Sequence, residues 1–411
     1  MANYTKASLP DIPFSSNVWE ILDSLDASLG GVEKALALPA DCYTSDEWFE
    51  FERRAIFDRD WLVLGHHNRI PNPGDYMSVH INGEPLLVVR GKDDQIRVMS
   101  AVCRHRGHVL GAEAGNTMSF TCPFHGWSYD LEGTLTGAPE MNGTLPFAEL
   151  QRTACLPVFR SELWNGFIFV NLSGDAAPLA PRLKGLTKMV ANYRMEDLAA
   201  GPTVDWADNP WNWKFMQENA LEPYHTRYLH SGIHDFAPSD LVRWTEWDPT
   251  DDAAIYRAVG FTHIDGGFNL ANKALFPPLP TLTIQERQQV VFAGVMPNLF
   301  LGCTPDVVFY YLIMPQGAGK ITLRVGVLTT YENLALPTAD LLMKGTVEGV
   351  GVYNDQDTAA NTQTHIGMQS RVAPRTRWAP NEKTLWQINE WLIKRYKAYA
   401  DELRGMKVAA E

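Results

Sequence analysis

Cys103-Arg104-His105 and, sixteen residues further on, Cys122-Pro123-Phe124-His125 decide how this chain is read. The pattern is C-x-H followed by C-x-x-H, one thiol and one imidazole in each short stretch. Runs rich in Val, Ile and Phe flank both stretches, and Gly107 and Gly126 follow them. Such a placing puts each pair at the tip of a loop, where glycine lets backbone amides come close to a sulfur. Two tips that meet make a site of four ligands. Thiolate is a soft ligand suited to zinc and to iron–sulfur clusters, and imidazole suits both.

A structural zinc site of the Cys₂His₂ kind more often pairs C-x₂₋₄-C with H-x₃₋₅-H. Two cysteines on one iron and two histidines on the other is the arrangement of a Rieske [2Fe–2S] centre. The order Cys-His, Cys-His lets each loop give one ligand to each iron, so the cluster is the better reading. Rieske proteins of the respiratory type carry an extra cysteine in each loop, joined as a disulfide. His108 and Phe124 stand in those places here, which resembles the low-potential Rieske domains of ferredoxins and oxygenases.

Working outward, Trp61–Leu64, Pro85–Arg90, Ile96–Ala101 and Phe167–Leu172 read as short strands. Asn72-Pro73-Gly74-Asp75, Asn82-Gly83, Gly91 to Asp94 and Glu132-Gly133 read as turns between strands. This is a small all-β domain. Upstream, Thr44 or Ser45 is placed to cap a helix through about Asp60, with Trp48, Phe51, Ile56 and Phe57 as its apolar stripe. Downstream, Asp208 and Asn209 precede a helical stretch to about His230. Strand-like segments follow at Ala254–Val259, Gln289–Ala293, Val307–Met314 and Ile321–Thr329, and helices return from Leu336 to Met406. The predicted fold is α+β: an all-β Rieske domain plus a catalytic domain with an antiparallel sheet covered by helices. The expected division is an N-terminal helical segment, 1–60, packing on the catalytic domain; a Rieske domain, 61–172; and the catalytic domain, 173–411.

A Rieske ferredoxin needs only about a hundred residues, and the length beyond the β region demands its own account. Asn219-x₂-Glu222-x₂-His225-x₄-His230 lies in the helical stretch. Glu222 and His225 are three apart, which a helix places on neighbouring positions of one face. His225 and His230 stand about 140° apart round a regular helix, so they converge only where the helix distorts or ends. Pro223 supplies a distortion and Ser231-Gly232 an ending. Two histidines and one carboxylate form the facial triad of non-haem Fe(II) oxygenases. The third ligand must come from elsewhere, and Asp357 is favoured over Asp355 in Asn354-Asp355-Gln356-Asp357.

With these motifs in this order, the chain resembles the large oxygenase component of the Rieske non-haem iron, ring-hydroxylating oxygenases, from about Trp48 to Trp391. The resemblance implies Cys103 and Cys122 on one cluster iron and His105 and His125 on the other. It implies a mononuclear Fe(II) on His225, His230 and Asp357, with Asn219 beside it. It implies a trimer in which a bridging carboxylate, Glu222, links His125 of one chain to His225 of the next. Most ring dioxygenases carry Asp at the bridging position. Glu222, with Asn212-Trp213-Lys214, is similar to the branch acting on quaternary ammonium compounds such as carnitine and glycine betaine. That favours monooxygenation with loss of an alkyl group over ring dihydroxylation. A Rieske electron carrier or a zinc-binding protein is the distant alternative.

The chain has 411 residues, 45% apolar and 20% charged, with a formal net charge of −13. Such a balance argues against nucleic acid and anionic membrane as partners. No apolar run approaches the ~18 residues of a membrane span, and the N-terminus lacks a signal-peptide pattern. Five cysteines, odd in number, argue for a reducing cytoplasm. No flavin or nicotinamide fingerprint is evident, so a reductase or ferredoxin is the expected electron donor, with O₂ and a small organic molecule as substrates. Arg104 and Arg106 are candidate docking charges, with internal ion pairing as the alternative. Phe261 to Pro280 reads as a long loop, with a lid over the pocket as its functional alternative.

Overall fold

The computed structural model describes residues 13–410 apart from Asn142, Ser231 and Leu270. The helix stop expected at Ser231 lies outside the described residues. The described residues divide into two compact units, one formed by Asp58–Ala177 and the other by the described residues before and after it.

In the first unit, seven strands form one sheet in the order Trp61–His66, Phe167–Asn171, Val158–Trp164, Ile96–Ser100, Glu84–Arg90, Asp75–Ile81, Ala114–Asn116. A three-stranded sheet, Phe120–Thr121, Ser128–Tyr129 and Leu135–Gly137, completes it. Asn82 and Gly83 both take positive φ, 51° and 82°. That is the left-handed pair a tight hairpin needs, and it joins Asp75–Ile81 to Glu84–Arg90 in register. Leu87, Val89, Met99, Leu110, Trp127 and Tyr129 form a buried core that also contains Cys103 and Cys122.

The second unit is built on an eight-stranded antiparallel sheet. Seven strands follow the order Ala199–Ala200, Lys320–Thr329, Val308–Gly317, Leu299–Cys303, Gln289–Val295, Ala254–Gly260, Val242–Trp244, and Val204–Asn209 adds to Lys320–Thr329. Cross-strand register sets Arg257 opposite Phe292, Phe292 opposite Gly302, and Gly302 opposite Phe309. The next row sets Gly294 opposite Phe300 and Phe300 opposite Tyr311. Because side chains alternate with a period of two, these residues share one face. Two glycines open that face. A Cβ on Gly294 would lie 2.4 Å from Gln217 Oε1, so the helix Trp213–Leu221 rests directly on the sheet there. A Cβ on Gly302 would lie 2.0 Å from the Phe309 ring, which fills that gap.

The helix expected up to about His230 is shorter and broken. Asp208 and Asn209 end a strand, and Asn212 caps the helix by accepting Lys214 N at 3.1 Å. The helix stops at Leu221, with Glu222 extended at φ −98°, ψ 139°. A residue before proline is disfavoured in the helical region, and Pro223 enforces the break. A short second helix, Thr226–Leu229, follows. Ser45 caps Asp46–Glu52 by accepting Trp48 N at 3.2 Å, and a π-helical turn, Arg53–Phe57, ends it short of Asp60. The helices Ala339–Met368 and Lys383–Ala410 cover the C-terminal part.

The chain before Asp58 closes against the last helix. Trp48 meets the Tyr396 ring edge-on at 5.1 Å, and Lys397 pairs with Asp26. At the centre, Lys214 Nζ pairs with Glu52 Oε1 at 2.7 Å, both side chains 0% exposed. Trp213 Nε1 donates to Glu52 Oε2 at 3.1 Å, and the Tyr396 hydroxyl donates to Oε1. Every oxygen of the buried carboxylate is thus satisfied, as an interior charge requires.

Candidate metal centres and cavity

The two Cys/His stretches fold as near copies of one loop. Gly107 N donates to Cys103 O at 3.0 Å and Cys103 N to His108 O at 2.9 Å. Gly126 N donates to Cys122 O at 2.9 Å and Cys122 N to Trp127 O at 2.7 Å. Both glycines sit at positive φ, 78° and 71°, a conformation that side chains with a Cβ rarely take. The loops bring the His105 and His125 rings together edge-to-face, 4.6 Å between centroids, and Trp127 stacks on His105 at 4.8 Å. Both thiols are buried, and the Tyr129 hydroxyl lies 3.5 Å from Cys103 Sγ. His105 Nδ1 is buried without a hydrogen-bond partner. Two buried free thiols and an orphaned imidazole nitrogen fit a metal cluster better than a packed core. Arg104 and Arg106 are exposed and form no ion pair among the described residues; Arg106 stands over the Phe124 ring at 5.1 Å.

In the second unit, His225 Nε2 and His230 Nε2 are 3.1 Å apart, and Asp357 Oδ1 lies 2.9 Å from His230 Nε2 and 3.7 Å from His225 Nε2. Bonds of about 2.1 Å at right angles would set ligand atoms about 3 Å apart, so the three fit one face of a metal's coordination shell. Asp357 Oδ1 is buried yet has no oriented hydrogen bond despite this closeness, which is how a ligand oxygen stands when a metal is its partner. Burial pushes the His230 pKa down, but Asp357 and Gln356 outweigh it and the net shift is upward.

The broken helix makes this convergence possible. Glu222 and His225 do not share a helical face as expected. Instead the Glu222 carboxylate reaches over Pro223 to the next turn. Its Oε2 accepts from Tyr224 N and from His225 N at 3.2 Å, and its Oε1 lies 2.5 Å from His225 Nδ1. Asp357 comes from within the helix Ala339–Met368, while Asp355 is exposed. Sequence reasoning did not find Gln356, whose Oε1 lies 2.8 Å from His230 Nδ1. No motif signals it; it stands beside Asp357.

The three ligand atoms open on a cavity with about 90 Å³ of room for the centres of water-sized molecules. Its walls include Phe268, Phe292, Phe300, Phe309, Tyr311 and Tyr353, and Asn219 also lines it. Phe268 comes from the loop Phe261 to Pro280. Arg257 lines it too and is 2% exposed. Arg257 Nε donates to Leu221 O at 2.5 Å and Nη2 to Ala220 O at 3.4 Å, while burial lowers its pKa to about 10. Next to Asn219, burial raises the pKa of Glu218 to about 7 against the Tyr43 hydroxyl, which donates to it at 2.7 Å.

Comparison with known proteins follows the same division. Residues 60–158 match the Rieske [2Fe-2S] domain, and residues 195–398 match the ring hydroxylating alpha subunit catalytic domain. The chain is 35% identical over 243 residues to biphenyl 2,3-dioxygenase subunit alpha of Rhodococcus jostii (strain RHA1), covering 57% of this chain and 52% of that protein. It is 33% identical over 213 residues to the carnitine monooxygenase oxygenase subunit of Escherichia coli (strain K12), covering 51% and 56%. The chain thus matches about half the length of these curated relatives. Its fold is that of a solved quaternary ammonium Rieske monooxygenase, TM-score 0.74 at 21% identity over 92% of this chain and 97% of that one. It is equally that of naphthalene 1,2-dioxygenase from Rhodococcus sp., TM-score 0.74 at 19% identity over 93% and 97%. Domains of these two kinds imply a [2Fe–2S] cluster and a mononuclear iron as resident cofactors. A Rieske domain and a ring-hydroxylating alpha catalytic domain in one chain place this protein in the family of Rieske non-haem iron oxygenase alpha subunits.

Proposed function

We propose that this chain is the terminal oxygenase component of a multicomponent system, hydroxylating or oxidatively dealkylating a small organic substrate with O₂. The observation that carries the reading is the convergence of His225 Nε2, His230 Nε2 and Asp357 Oδ1 in the wall of an apolar cavity. In this reading Cys103, His105, Cys122 and His125 hold the cluster, and His225, His230 and Asp357 hold the iron. The cluster supplies electrons one at a time, and the iron supplies oxygen activation. The domain roles follow as 61–172 for electron entry and 173–411 for oxidation, with 1–60 supporting the latter.

The protein's own part is orientation and exclusion of water. Glu222 accepts a proton-bearing Nδ1 of His225, and Gln356 Oε1 does the same for His230. Each leaves Nε2 as a lone-pair donor toward the shared point. Phenyl walls keep the substrate dry and close to the ligands. Asn219 offers a polar contact beside them. A trimer, in which Glu222 also reaches His125 of a neighbouring chain, would carry electrons between subunits. Arg104 and Arg106 give a reductase or ferredoxin cationic docking points on an acidic molecule. No helix among the described residues is long and apolar enough to cross a membrane, and we assign the protein to the cytoplasm.

Four phenylalanines in the cavity wall favour a second reading, cis-dihydroxylation of an aromatic ring. One experiment separates the two. Protein with a brown [2Fe–2S] spectrum is turned over with a surrogate reductase on quaternary amines and aromatic acids, and products are analysed for formaldehyde and for cis-diols. His225→Ala should abolish oxygen consumption and leave the cluster spectrum intact. Full activity in that variant would disprove the iron assignment.

A further inference from the structure

We propose that the substrate is an organic acid whose carboxylate is held by Arg257. This rests on the cavity being the substrate site, as proposed above. Arg257 lies in Ala254–Gly260, opposite Phe292 and two residues from Val259, and all three line the cavity. Among the described residues it is the one arginine or lysine in that lining, on a sheet face otherwise made of Phe, Tyr, Val and Gly. Its guanidinium stands over the Phe292 ring at 4.9 Å and is almost wholly removed from water.

Two of its three nitrogens have structural work. Nε and Nη2 donate to Leu221 O and Ala220 O, the last carbonyls of the helix Trp213–Leu221. These are neutral acceptors, with only the partial charge of a helix C-terminus. Nη1 is buried and has no hydrogen-bond partner. No carboxylate among the described residues forms an ion pair with Arg257; Glu222 acts on it only at longer range. A buried cation normally has a full counter-charge. Capping a helix needs neither the third nitrogen nor the whole positive charge, and a bound anion would satisfy both. The substrate is then an acid with an apolar body on Phe292, Phe300 and Phe309. Its oxidised carbon lies toward His225, His230 and Asp357, at another part of the same wall. A betaine meets the description as well as an aromatic acid does, because both carry the carboxylate.

The test is calorimetric titration of the full-length protein with benzoate, phenylacetate and 3-phenylpropionate, each against its neutral amide. A charge-assisted bond at a buried site predicts that at least one acid binds about tenfold or more tighter than its amide. Arg257→Gln should bring acid and amide within about twofold, and Arg257→Lys should keep part of the preference. If Arg257→Gln does not fold, the acid-to-amide ratio of the unaltered protein decides. The proposal is overturned if no acid outbinds its amide, or if Arg257→Gln keeps the ratio. Iron content and cluster absorbance of the same samples report on the oxygenase reading separately. His225→Ala, stripped of iron, should still prefer the acid.

Discussion

Replacing Glu222 by alanine should loosen the iron site and leave the cluster bound by its four ligands. The carboxylate makes three contacts, to His225 Nδ1 at 2.5 Å, to His225 N at 3.2 Å and to Tyr224 N. The first fixes which ring nitrogen faces the metal, with both side chains largely buried at 18% and 11% exposure. A hydrogen bond to a charged group is worth about 1.5–3 kcal/mol, which corresponds to about ten- to a hundredfold in Fe(II) affinity. The two amide contacts tie down the turn before the short helix Thr226–Leu229, and each such hydrogen bond contributes about 0.5–1.5 kcal/mol net. Glu222→Gln keeps an acceptor for the amides but lacks the charge, so its affinity should fall between the two. The assay is anaerobic competition for Fe(II) against a chromophoric chelator, with cluster absorbance as the internal control. An alanine variant that binds Fe(II) as tightly as the parent protein would refute the assigned role.

Three further outcomes are expected. Lys214→Met strands the Glu52 carboxylate in the interior and should cost about 3–5 kcal/mol in denaturant titration, while Glu52→Leu with Lys214→Met should recover most of it. Gly302→Ala forces the Phe309 ring aside from a 2.0 Å approach; overpacking of this kind costs about 1–3 kcal/mol, and the same denaturation measurement reads it. Glu218 is a carboxyl whose folded pKa is raised, from 4.5 to about 7. The folded state therefore binds more protons than the unfolded one between these values, and stability should fall as pH rises through them. Glu218→Gln should flatten that part of the pH–stability curve.

The Cys/His loops were legible because their ligands are local. Cys103 to Gly107 and Cys122 to Gly126 each close on themselves by backbone bonds, so spacing alone carries their geometry. That the helix must distort for His225 and His230 to converge was equally legible from Pro223, but the break falls before His225, so Glu222 and His225 are not on one helical face. The choice between Asp357 and Asp355 depends on the rotational phase of a 30-residue helix. Asn354, one turn before Asp357, is buried and Asp355 is exposed, but that phase is set by packing against distant residues. Arg257 was unreadable for the same reason. Its partners are 36 and 37 positions away, and an arginine in a β-run signals nothing by itself. The buried Glu52–Lys214 pair spans 162 positions, beyond the reach of any periodicity.

Among the described residues, the unit holding the two cysteine loops is one uninterrupted run of chain, whereas the other is assembled from both sides of it. During synthesis the two therefore mature in a fixed order. Once Ala177 has cleared the ribosome, every strand around Cys103 and Cys122 is present, and cluster insertion has a finished receptacle. Trp48 and Glu52 must wait for Tyr396, and Asp23 and Asp26 for Arg404 and Lys397. A premature stop before Lys383 would thus spare the unit with the cysteine loops and leave the earliest-made helix without a lining. Its damage would be felt at the opposite end of the polypeptide from the lesion.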